Sequence, residues 1–372
     1  MHRISRVVFT SPLPTPASEC LRMNDSSSSR VAQLTTHLHT MTSTSSGAAP
    51  WREAFLSHIS TMDSPEFVLS TIRRVTSPPA PQRPGSRSGS IPHLFNNLYA
   101  PRARTCVYRG LWADMQRNSK NTAPENPKVW TSDCLTFTTD LRMDKMAELF
   151  EGSLVGEEFG GRGGPQSPTT TKVGEELWEE ELRHERGKST EKKVKSREEK
   201  LKGSGGGAPV EACFWMKEPG TQWRVRGRAY VVAPDVESSI EGREVVSILK
   251  DRMRRVGEDG KWSFKTELTA HFGNLSPGMR GTFRNPPPGR NMKEPVGEGL
   301  GLGQKVDDNE DEIARKNFRV VVILPEEIDR ADLSDPAHPR RWVYTFVGSG
   351  EGQSGEEGVV REGEWEKVEV WP

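Results

Sequence analysis

The chain is poor in apolar residues and has no surplus of charge of either sign. Of its 372 residues, 33% are hydrophobic and 7% aromatic, while Lys+Arg 52 and Asp+Glu 52 cancel. Mean hydropathy is -0.69. So few apolar side chains cannot build one core from the whole length, which points to a medium-sized core carrying polar tails and insertions. The lack of surplus positive charge excludes a general nucleic-acid binder, which must displace counterions with net cationic charge. No apolar run approaches the roughly 20 residues of a spanning helix, so no membrane partner is expected. Cysteine is scarce: Cys20, Cys106, Cys134 and Cys213 form no CxxC pair and no regular framework. Reduced thiols and a cytoplasmic location follow as expectations. A Ser/Thr-rich leader over residues 1–47, with Glu19 and Asp25 its only acids, leaves mitochondrial import as the alternative if it is a presequence.

Catalytic and metal motifs are missing as well. HExxH, GxSxG and GxxxxGK[ST] do not occur, and the only close histidine pair, His37 and His39, lies in the leader. No metal site is expected and no catalytic residue can be named. Gly297–Gly303 (GEGLGLG) superficially resembles a phosphate loop, but no strand leads into it, so it reads as a linker.

What is present is a series of strand-like segments separated by biased sequence. Trp51, Phe55 and Ile59 share a helix face. Strands are expected at 66–72, 104–111, 134–139, 210–216, 222–233, 318–324, 341–347 and 363–370, with helices at 143–150 and 245–256. Residues 76–97 read as a Pro/Gly/Ser loop, and 285–316 as a Pro/Gly-rich and then acidic loop. Residues 152–208 read as a charged low-complexity insertion that ends in a flexible linker, Gly203–Gly207. The fold class is mainly β, a β-barrel with short helices.

Basic and polar residues gather at the ends of these strands. Arg104 and Arg109 bracket RTCVYRG; five apart, they face opposite sides of a regular strand unless a bulge intervenes. FTTDLRMDK places Thr138 and Thr139 at a strand end and Arg142 and Lys145 at a helix start, where free backbone N–H groups favour an anion. TQWRVRGRA puts Gln222, Arg224 and Arg226 on one face, opposite Trp223 and Val225. Together they suggest a cradle for a phosphate and a polar ring, since arginine forks bind phosphate oxygens bidentately.

The order RTCVYRG, LTFTTDLRMDK, EACFWMKEPGTQWRVRGRA, NLSPGMRGTFRNPPPG and NFRVVVILPEEID resembles the pyridoxamine 5'-phosphate oxidase-like FMN-binding family. The likeness is closest to its fungal and cyanobacterial branch, which opens with a Pro-Trp helix such as Pro50-Trp51, and it spans about residues 48–372. The resemblance implies an FMN-binding split barrel that forms a homodimer, with FMN at the dimer interface. It also implies a small-molecule substrate, from which the flavin takes a hydride equivalent before passing electrons to oxygen.

By position, Arg104 and Arg109 match the family's basic pair; one contacts the FMN phosphate side and the other lies near the ring or the substrate. Phe137 and Thr138 match the aromatic-Thr pair beside the flavin, Arg142 and Lys145 the phosphate clamp, and Gln222 with Arg224 the polar reach from the next strand. Trp365 matches the late tryptophan that closes the pocket. The chain departs from the pattern at Met143, where serine is usual, and at Asn285, where tryptophan is usual. The usual Arg-Val-Asn-Pro ending reads Glu369-Val370-Trp371-Pro372. The implied function is an FMN-dependent oxidoreductase. The alternatives are a module that holds FMN without turnover, for storage or sensing, and a scaffold for the charged insertion.

Overall fold

Period-two alternation sets the architecture. In the stretch from Val210 to Met216, Val210, Ala212, Phe214 and Met216 are buried while Trp215 stands 51% exposed. That is the signature of a strand with one face on a core. A computed structural model describes residues 47–75, 98–158, 197–258, 260–349 and 357–372. The leader up to residue 46, the loop 76–97 and residues 159–196 of the expected insertion lie outside the described residues.

In chain order the elements are α1 (Arg52–Ile59), β1 (Glu66–Val75), β2 (Leu98–Leu111), β3 (Trp130–Ser132), β4 (Leu135–Asp140), α2 (Lys145–Glu158) and α3 (Arg197–Lys200). There follow β5 (Gly205–Met216), β6 (Thr221–Val232), α4 (Ile240–Lys250), β7 (Met253–Arg255), α5 (Phe264–Gly273) and α6 (Pro277–Gly281). After one 3-10 turn, Thr282–Arg284, come α7 (Glu312–Asn317), β8 (Phe318–Asp332), β9 (Arg340–Phe346), β10 (Val359–Glu362) and β11 (Trp365–Val370).

The main sheet is antiparallel, in the order β10-β11-β9-β8-β4-β2-β1-β5-β6, and β6 also pairs with β8. That last pairing closes six strands, β8-β4-β2-β1-β5-β6, into a barrel, while β9, β11 and β10 extend from it. Closure removes the exposed edges an open sheet would leave. β8 makes this possible by its length. Its first half, Phe318 to Ile323, pairs with β4, its second half, Glu327 to Asp332, pairs with β9, and β6 runs along both. The protein is therefore mainly β, with a barrel and short helices, as the sequence leads one to expect.

Two cores follow from the alternation. Phe55, Phe67, Phe137, Phe214, Trp223 and Val225 fill the barrel. Val320, Val322 and Leu324 of β8 point outward instead, under a second cluster with Phe264, Leu268 and Phe272 of α5 and Val245 and Leu249 of α4. At Gly227 the barrel wall is so close that a Cβ would lie 1.9 Å from the carbonyl oxygen of Leu324. Only glycine fits there.

The structure corrects two expectations and adds a helix. Gly203–Gly207 is no flexible linker: β5 begins at Gly205, and Gly205, Gly206 and Gly207 have φ of +157°, +112° and +99° in a bulge against β6. A Cβ on Gly205 would meet Phe150 at 2.5 Å, so the glycines serve packing and not looseness. The helix expected at 245–256 is α4, which stops at Lys250, and Met253–Arg255 turns into a strand paired with β3. Nothing in the sequence reading foresaw α5.

Candidate functional site

At one end of the barrel, the residues of β1, β2 and β4 that face inward meet the start of α2. Arg104 donates to Thr71 Oγ1 at 2.5 Å and to Glu148 Oε2 of α2, and Thr71 Oγ1 also donates to that carboxylate at 2.6 Å. Glu148 is almost wholly buried, at 2% exposure, so its pairing with Arg104 is what makes its burial tolerable. Lys145, the first residue of α2, donates to Thr139 Oγ1 at 3.1 Å. It forms no ion pair among the described residues. Burial, with the Arg104 charge adding to it, lowers its ammonium pKa, and burial raises that of the Cys106 thiol beside it. Arg104 and Lys145 are thus brought together as the sequence suggested. The sequence placed Thr139 at this strand end but gave no sign of Thr71 or Glu148; the one available signal was Glu148 standing one helical turn after Lys145.

Arg142 lies before α2 and folds back on its own strand. Its Nε and Nη2 grip Asp140 at 2.9 and 2.6 Å, while Nη1 and Nη2 reach the carbonyls of Asn285 and Phe283 at 2.8 and 3.2 Å. Four of a guanidinium's five N–H groups are therefore engaged, and Arg142 ties the 3-10 turn to the end of β4. Phe137 is fully buried inside the barrel, edge-on to Phe67 at 5.8 Å. Thr138 is half-buried on the opposite face of β4.

Gln222 and Arg224 lie elsewhere, on the outer face of the barrel. A row of cross-strand neighbours runs Thr105, Val68, Cys213, Arg224, Asp329, Val343 over six strands. Asp329 accepts from both Arg224 and Arg341, and these two cations outweigh its burial to hold its pKa below the usual value. Gln222 pairs in register with Trp215 and Ala331 on the same face. Trp365, expected to close a pocket, is 4% exposed and packs edge-on against Trp51 at 5.7 Å and Phe346 at 5.4 Å.

Arg109 does not join Arg104. A bulge between Tyr108 and Leu111, with Gly110 at φ +109°, turns the strand, and Arg109 lines a separate cavity of about 390 Å3 with Tyr108, Asp114, His271, Asn274 and Leu275.

Residues 48–167, which carry α1, β1, β2, β3, β4 and α2, match the family described as pyridoxamine 5'-phosphate oxidase, FMN-binding domain. Over this stretch the chain matches an FMN-binding domain. The match covers about a third of the sequence. Among solved structures, the chain is similar to a pyridoxamine 5'-phosphate oxidase-related, FMN binding protein from Nostoc punctiforme PCC 73102. The identity is 15% and the TM-score 0.42, over 87% of this chain and 98% of that one. It is also similar to PhzG from Burkholderia lata 383 in complex with tetrahydrophenazine-1-carboxylic acid, at 10% identity and TM-score 0.28, over 86% of this chain and 90% of that one. No curated protein matches the chain in sequence.

The barrel-end residues of this FMN-binding domain fit the phosphate end of the cofactor. A desolvated ammonium without a carboxylate partner is costly unless an anion meets it. Lys145 is such a group, and it stands at the N-terminus of a 14-residue helix whose first N–H groups favour negative charge. Arg104 and Arg142 carry positive charge nearby, but their forks are already held by Glu148 and Asp140.

Proposed function

We propose that the protein is an FMN-dependent oxidoreductase that works as a homodimer. The observation that carries the flavin site is the half-buried Lys145 ammonium, whose one hydrogen-bond partner among the described residues is Thr139, within the stretch that matches the FMN-binding domain. When bound, FMN supplies the redox chemistry, accepting a hydride equivalent from a substrate. The chain's own residues position it. Lys145 holds the phosphate end, Arg104 is fixed by Glu148 and Thr71 so that its charge stays at the barrel end, and the closed barrel keeps water away from one side.

Two facts support the dimer. Arg104 and Lys145 lie at the inner end of the barrel, whereas Gln222 and Arg224 lie on its outer wall, so one chain does not offer both groups to one ligand. The outer wall also exposes Val68 at 42%, Ile72 at 47% and Trp215 at 51%, an apolar set that a second copy would cover.

A second reading, FMN held without turnover, has one observation in its favour. Where the resemblance expects a basic residue near the chain end, Glu369 stands instead, clasped by Arg340 at 2.8 and 3.0 Å. The purified protein decides between them. Flavin absorbance with oxygen consumption on substrate addition supports the oxidoreductase; flavin absorbance without turnover across a substrate panel supports the holder. A colourless protein that takes up no FMN refutes both.

A further inference from the structure

The cavity behind Arg109 has no role in the phosphate site, yet its walls carry unmet polar groups. Arg109 is largely buried and has neither a hydrogen bond nor an ion pair among the described residues; its Nε is one of the buried atoms without a partner. Two more lining residues carry buried polar atoms that lack a hydrogen bond: the Tyr108 hydroxyl and both ring nitrogens of His271, whose Nε2 has the Glu267 carboxylate no nearer than 3.9 Å. His271 is 1% exposed and lies flat on Trp112, with ring centroids 5.7 Å apart and planes 9° apart, so it cannot swing out to find water. Each such group costs free energy unless something in the cavity bonds it. The rest of the lining is largely apolar, from Leu56, Ile59 and Met115.

The charges around the cavity select the occupant. Arg109 is the only Lys or Arg among the lining residues, and Asp114, which pairs with Arg52, places a carboxylate on the same wall. Burial and the Arg109 charge hold the His271 pKa at about 3, so this ring adds no second cation near neutral pH. One guanidinium opposed by one carboxylate suits a singly charged anion and disfavours a dianion. We propose that this cavity binds a small organic carboxylate, its anion on the Arg109 guanidinium and its body against Leu56, Ile59 and Met115, with His271 and Tyr108 as hydrogen-bonding partners. That the occupant is the substrate rests on the flavin-dependent reading above; that it binds does not.

Calorimetric titration of the full-length protein tests this with two probes of matched body, benzoate and phenyl phosphate. Benzoate should bind, and phenyl phosphate at least ten-fold more weakly. Arg109→Met should weaken benzoate at least ten-fold while raising Tm, because it removes a buried cation that has no partner. Arg109→Lys, which keeps the charge but loses the fork, should fall between the two. No heat with benzoate, tighter binding of phenyl phosphate, or unchanged benzoate affinity in Arg109→Met would each overturn the proposal. If the flavin reading fails, the protein is colourless while the Arg109-dependent heat remains, so the two failures are told apart.

Discussion

Lys145 and Arg142 stand three residues apart and carry the same charge, yet their surroundings give them different work. Lys145 meets one hydroxyl, whereas Arg142 meets a carboxylate and two carbonyls. Lys145→Met should therefore weaken FMN by on the order of 2 kcal/mol, the worth of a charge-assisted bond, or roughly 30-fold in Kd. Riboflavin, which lacks the phosphate, should be affected far less, and a flavin fluorescence titration with both ligands checks the difference. Arg142→Ala should act on the fold instead, because it leaves the buried Asp140 carboxylate without its partner. The expected cost in urea unfolding is about 3 kcal/mol, with whatever affinity loss follows being equal for FMN and riboflavin. His271 adds a pH dependence. Its folded pKa of about 3 lies below the ordinary 6.5, so the unfolded chain binds the extra proton between those values. Stability should then fall as pH drops from 6.5 toward 3. His271→Phe should flatten that part of the Tm profile, as thermal melts at stepped pH would reveal.

Elements show how far the sequence could be read. The strands were legible because alternation survives burial: Val210 through Met216 reads as β5 by pattern alone, and Trp223 and Val225 turn inward where Gln222 and Arg224 turn outward. α5 was not legible. Its residues from Glu267 to Gly273 are all buried, so it has no polar stripe to mark the helical period. Gly203–Gly207 misled because composition reports only that glycine is present. Its positive φ values and its contact with Phe150 belong to the folded pairing of β5 with β6. The same holds in the site. Arg104 and Lys145 were visible as cations at element ends, but Glu148, Thr71 and the cavity at His271 exist only once β1, β2, α2 and α5 have come together. Where an element's geometry is this tight, substitution should be felt sharply. Gly227→Ala places a Cβ against the carbonyl of Leu324 and should cost about 3 kcal/mol or more, read as a lowered urea midpoint.

For the whole molecule, the outer wall of the barrel makes assembly and flavin retention one question. If a second copy covers Trp215, Val68 and Ile72, Trp215→Glu should shift sedimentation toward the monomer and release flavin on dilution, since partner and cofactor stabilise each other by mass action. Unchanged sedimentation with full flavin would remove this wall from the interface. β8 has a further consequence, for how the protein is made. A ribosome releases β1, β2, β4, β5 and β6 before residue 318 exists, and no two of these can close the ring, because both β4 and β6 wait for the same strand. Until β8 emerges, the nascent chain holds an open sheet with two bare edges and an unsealed apolar lining, the condition in which chains find one another instead of themselves. The dependence of this protein on chaperones should accordingly lie in the interval of synthesis between Val232 and Asp332, and not in the barrel once it is shut.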